Sequence, residues 1–132
     1  ASMLKAIGKS INIRVSGSES TKIPIIILGN SPITKSYTKK VDFLKKSGII
    51  QSFISLYPNP TNDFIMNTDK KGFQTFNEYQ TLSNCIIEVV NSEMNFFSSM
   101  LPKRKLGQII NISAKEKDDI SIAEKFLSLI GE

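Results

Sequence analysis

The sequence predicts a single α/β domain: a mostly parallel sheet in three layers, with helices on both faces. Two nearly continuous aliphatic runs, 23-IPIIIL-28 and 49-IIQSFISLY-57, read as strands covered on both sides. Amphipathic patterns with clear start and stop signals alternate with such runs. The resulting order, β, β, α, β, (β), α, β, α, favours crossover connections over hairpins.

Taken in order, Ala1 to Met3 read as a cloning remnant, which leaves residues 4–132 as the domain, a length that also suits a piece excised from a larger protein. Residues 10-SINIRVSG-17 alternate, with Ile11, Ile13 and Val15 on one face. That pattern makes them a candidate antiparallel edge strand. Pro24 sits at the start of the next strand, where its missing N–H is tolerable. Ser31 then reads as a helix cap and Pro32 as the first helical position. Ile33, Tyr37, Val41 and Leu44 form that helix's apolar stripe, and Gly48 ends it. After the second strand, 58-PNPTND-63 reads as a proline-braced turn and 64–67 as a short third strand. Thr75 and Glu78 have capping-box spacing ahead of a long helix through Tyr79, Leu82, Ile86 and Val90 to Leu101. Residues 107-GQIINIS-113 read as another strand. Asp118 or Asp119 caps a last helix carrying Ile122, Phe126 and Ile130.

Composition removes whole classes of chemistry. The chain has one cysteine, Cys85, and no histidine. An internal disulfide is impossible, a Cys/His zinc site would have a single ligand, and no imidazole is present to act as a base. The longest apolar run is far shorter than the ~20 residues that span a bilayer, and residues 1–9 lack the apolar core of a signal peptide. An intracellular protein, cytoplasmic or nuclear, is therefore expected. The net charge is +5. Residues 1–50 carry nine Lys or Arg against Glu19 and Asp42, and residues 51–100 carry Lys70 and Lys71 against five acids. An acidic protein partner fits that asymmetry.

The strand–turn–helix 25-IIILGNSPITKSYTKKVDFLKKSG-48 resembles the opening of short-chain dehydrogenase/reductases. The passage 94-MNFFSSMLPKRKLGQIINISA-114 resembles the part of that family where a strand delivers the catalytic serine, which would be Ser113. The resemblance implies a Rossmann-like sheet and nicotinamide chemistry. The family's glycine-rich turn is matched only at Gly29, since Ile33 and Lys35 stand where its other two glycines belong. Phe126 and Ile130 fall where the family has its tyrosine and lysine, so the proton donor is missing. The chain thus resembles a degenerate, shortened relative that keeps the fold without catalysis, or it shares only the pattern common to β-α-β proteins.

The expected function is thus a non-catalytic protein–protein interaction or scaffolding module, a pseudoenzyme-like complex subunit, with no cofactor and no metal. The partner-binding candidates are Met66, Phe73 and Phe76 in a loop, and Lys35, Lys39 and Lys46 on the lysine-rich helix. A leftover apolar face on the long helix adds to them. The alternative is a nucleotide-binding or NAD(P)-dependent fragment using Gly29, Asn30, Ser31 and Ser113. A weaker one is nucleic-acid binding by the lysines, with Phe43 as the ring beside them.

Overall fold

The computed structural model describes residues 2–16, 22–57, 67–92 and 103–130. In chain order the elements are α1 (Ser2–Val15), β1 (Ile26–Gly29), a 3-10 turn (Lys35–Tyr37), α2 (Thr38–Ser47), β2 (Ser52–Ser55), β3 (Phe73–Thr75), α3 (Tyr79–Asn91), α4 (Lys103–Ser113) and α5 (Asp119–Leu129). The three strands form one sheet in the order β1-β2-β3, parallel throughout. The α/β class with a parallel sheet therefore holds. The proline-braced turn, Met66 and the end of the long helix fall outside the described residues.

Register sets the two faces of the sheet. Ile27, Phe53 and Phe73 are laterally aligned, as are Leu28, Ile54 and Gln74. Side chains alternate along a strand, so these rows point to opposite sides. The first row joins a single core with Ile7 and Ile11 of α1, Val41, Phe43 and Leu44 of α2, Ile109 and Ile110 of α4, and Ile122 and Phe126 of α5. Phe43 and Phe126 meet there with ring centroids 6.5 Å apart. The second row faces α3, whose Cys85 thiol donates to the Gln74 carboxamide oxygen. That helix leaves the β1 side uncovered, and Leu28 is 60% exposed.

Two strand expectations are corrected. Residues 10–15 are helical, and no antiparallel edge strand forms there. Ile7, Ile11 and Arg14 recur at helical spacing and are buried, whereas Ile13 and Val15 are each 40% exposed. Residues 107–113 belong to α4, with Ile109, Ile110 and Ser113 turned inward. Asn67 and Gln74 form an isolated antiparallel bridge on the outer edge of β3.

Arg14 explains how α1 is fixed. Its guanidinium is 3% exposed and donates to the carbonyls of Ile23 (2.7 Å) and Ile49 (3.0 Å) and to Gln51 Oε1 (2.9 Å). Gln51 Oε1 also accepts from the Ile25 amide, and its Nε2 donates to the Gly48 carbonyl. One buried cation thus ties the last turn of α1 to the leading ends of β1 and β2. Burial pulls its pKa below the usual guanidinium value, and the three acceptors offset the cost of desolvation.

Local signals place α2 and α5. Gly48 stops α2 with φ 81°, the left-handed conformation a glycine adopts at no steric cost. Asp118 caps α5 by accepting from the Ser121 amide at 2.7 Å, and this bond holds its carboxyl below the usual range.

Candidate functional site

The turn after β1 is where an α/β protein of the resembled kind would hold a dinucleotide. A dinucleotide-binding turn needs close backbone approach and a helix N-terminus aimed at the phosphates. The second requirement is not met here. A Cβ added at Gly29 would meet nothing within 4 Å, so no neighbour requires glycine there. Ser31 does not cap a helix. Its carbonyl accepts from the Ser55 hydroxyl at 2.9 Å, and the α-helix begins only at Thr38, after the 3-10 turn. Ile33 is 4% exposed and belongs to the core, which draws the chain away from a direct strand-to-helix passage. The described strands lie in sequential order, without the reversal of winding at which open α/β sheets form a ligand crevice.

Asn30 and Ser31 are exposed beside Gly29 at the carboxyl end of the sheet. Ser113, aligned above with a catalytic serine, sits on α4 rather than at a strand end. It is fully buried, and its hydroxyl donates to the Ile109 carbonyl at 2.7 Å. A hydroxyl back-bonded into its own helix is not presented to a substrate.

The partner candidates separate clearly. Phe73 is 3% exposed in the core row of the sheet, so it has no surface to offer. Phe43, proposed above as a ring beside the lysines, is buried against Phe126. Lys35, Lys39 and Lys46 are exposed, on the 3-10 turn and α2. Lys40 lies over the Tyr37 ring at 5.0 Å. Phe76 is half-buried just past β3 and lines three clefts: one of about 480 Å³ towards Cys85, one of about 400 Å³ along β3 and one of about 540 Å³ shared with Leu56, Tyr79 and Leu82.

The most unusual surface is on α3. Val89 and the half-buried Cys85 face the sheet, while Tyr79 is 82%, Ile87 52%, Val90 53% and Ile86 37% exposed. Much of the stripe read as core from its spacing is therefore the outer face. The only charged side chains within this helix or at its cap are Glu78 and Glu88.

Cys85 occupies a polar environment. Burial, the largest influence, pushes its thiol pKa up. Lys45 and Lys71 oppose that and Glu88 reinforces it. The fully buried Ser52 hydroxyl lies beside the sulfur without reaching hydrogen-bond geometry. The cleft lined by Lys45, Lys71, Cys85 and Glu88 is built from three separate segments of chain, and no sequence motif announces it. Among the described residues, no three His, Cys, Asp or Glu side chains gather to hold a metal, and no helix is long and apolar enough to cross a membrane.

No family model, curated protein or solved structure matches this chain.

Proposed function

We propose that the protein is a non-catalytic interaction or scaffolding domain, a subunit of an intracellular complex whose partner covers the outer face of α3. The observation that carries this reading is the exposure of Tyr79, Ile86, Ile87 and Val90 on one helix. Contiguous apolar surface of that kind mostly marks a binding surface. Covering the exposed halves of Ile87 and Val90 contributes about 1 kcal/mol each, half of the ~1.5–3 kcal/mol for burying a whole aliphatic side chain. The neighbouring Phe76–Leu56–Leu82 cleft suits an apolar anchor side chain of the partner. Lys35, Lys39 and Lys46 lie on other elements and steer an acidic partner by long-range attraction, acting on the association rate more than on affinity. A lone thiol suits a reducing compartment. The descent from short-chain dehydrogenase/reductases rests on the parallel β1-α2-β2 unit alone, which many α/β proteins share.

The test is affinity capture with the wild-type chain and with the double variant Ile87→Glu/Val90→Glu. Both positions are half-exposed, so the fold should survive with a stability change of about 0.5 kcal/mol or less per site. Proteins retained by the wild type should be lost with the variant. Equal recovery by both, with folding intact, removes the α3 face from the reading.

A further inference from the structure

Lys71 has a backbone φ of 62°, the only non-glycine residue with positive φ among those described. Lysine lacks the short polar side chain by which Asn or Asp stabilises that conformation locally, and such strain persists where the surroundings impose it. Here Asp42 of α2 imposes it. Its Oδ1 accepts from the Gly72 amide at 2.8 Å and from the Thr68 hydroxyl, and its Oδ2 accepts from the Lys70 amide at 3.1 Å. The Lys71 amide closes the turn on the Thr68 carbonyl at 3.0 Å, and Gly72 presses against the Val41 backbone so closely that a Cβ would fall 2.5 Å from its carbonyl oxygen. The whole turn is bolted to α2.

The consequence of this clamp is where Lys71 ends up. It lines the cavity of about 480 Å³ between β3 and α3, together with Lys45 of α2. Lys45 is itself positioned, because its Nζ donates to the Gln51 carbonyl at 2.8 Å. An ammonium has three donors, and that bond uses one. Both cations act on the Cys85 thiol at the cavity wall, with Glu88 as the one carboxylate among the lining residues. The lining therefore carries two positive charges against one negative, with the Phe76 ring at one side and Asn84 on α3 as a neutral polar group.

We propose that this cavity binds a small phosphomonoester, its oxyanion between Lys45 and Lys71 and its organic body against Phe76. Two ammoniums from separate elements match a dianion better than a single carboxylate, and lysine is a recognised point-charge partner for phosphate. Asp42 is then a positioning residue, holding Lys71 in a conformation it would not keep alone. The proposal does not depend on the α3 face having a protein partner.

Cys85 supplies a clean readout, being the only cysteine in the chain and part of the cavity wall. Its alkylation by iodoacetamide is followed by intact mass at low ionic strength, with phenyl phosphate, inorganic phosphate or benzoate added. Phenyl phosphate should slow alkylation saturably, and inorganic phosphate and benzoate should protect more weakly. Lys71→Met and Lys45→Met, both at accessible positions, should each raise the half-protecting concentration about tenfold, the loss of one charge-assisted bond. Asp42→Asn should weaken protection while both lysines remain. Absence of protection by phenyl phosphate, or equal protection in the lysine variants, overturns the site. Equal protection by benzoate overturns the assignment to phosphate, and equal protection by inorganic phosphate removes Phe76 from it.

Discussion

Gly8→Ala sets two physical effects against each other. Gly8 lies inside α1, where alanine is favoured over glycine by about 1 kcal/mol of helix propensity. Propensity alone predicts a more stable protein. The packing predicts the reverse. A Cβ at position 8 would lie 1.9 Å from the Asp119 carbonyl oxygen, 2.5 Å from its carbon and 2.7 Å from its Cα. Comfortable separation is about 3.5 Å or more, so α1 and α5 must part by roughly 1.5 Å at that point. The obstruction is backbone at the start of a helix, and no flexible side chain can yield instead. Parting the helices loosens Ile7, Ile11, Ile122 and Phe126, all at most 3% exposed. Overpacking of this kind costs about 1–3 kcal/mol, more where backbone must move. The expected net loss is about 2 kcal/mol, read as a fall of roughly 5–10 °C in melting temperature or as a lower urea midpoint. Gly29→Ala serves as the control, since a Cβ there meets nothing within 4 Å, and its stability should stay within about 0.5 kcal/mol of wild type. A Gly8→Ala protein as stable as the wild type, or more so, would refute the close α1–α5 contact.

Other outcomes follow from the same contacts. Arg14→Met keeps much of the buried stem but withdraws the cation from the Ile23 and Ile49 carbonyls and from Gln51, and should cost about 3–5 kcal/mol in chemical denaturation. The Cys85 thiol has a raised pKa, so its unliganded alkylation rate should climb at higher pH than that of a free thiol in the same buffer. By linkage, the protonated thiol favours the folded state, and this contribution is lost as pH rises through the folded-state pKa. Cys85→Ser should flatten that dependence, as followed by thermal melts across alkaline pH. Asp118→Ala should lower stability at neutral pH, with the difference fading in acid as the wild-type carboxyl is protonated, measured by melting both proteins along a pH series.

Elements with local signals are legible from sequence, and those whose buried faces include polar residues are not. The aliphatic run before Gly29, the stripe of α2, the Gly48 stop and the Asp118 cap all act within a few residues, and each stands where its chemistry indicates. The error at α1 has a specific cause. Its inward face runs Ile7, Ser10, Ile11, Arg14, and two of those four residues read as solvent-facing. Ser10 is satisfied by the Ala6 carbonyl and Arg14 by strand ends that follow later in the chain. Only the β-branched alternation of Ile11, Ile13 and Val15 is then left to read. At α4 the same masking operates through Ser113, bonded back to Ile109. Strand β3 is three residues long and was hidden behind a capping-box pattern at Thr75 and Glu78. In the structure Glu78 is the N-cap of α3, with no side-chain capping bond. Of the site residues, Phe76 and the lysines can be chosen by type alone. The cavity cannot, because Lys45, Lys71 and Cys85 meet only through the docking of the 68–72 turn on α2.

The anchorage of Arg14 bears on the order in which the molecule can be assembled. Helix α1 is the first of the described elements along the chain, yet the acceptors that hold its guanidinium come from residues 23, 49 and 51. Its main packing partner, α5, is the last of the described elements. The packing of α1 is thus completed only by α5: a chain shortened before residue 119 could still engage Arg14 at residues 23, 49 and 51 but would leave α1 without its main packing partner.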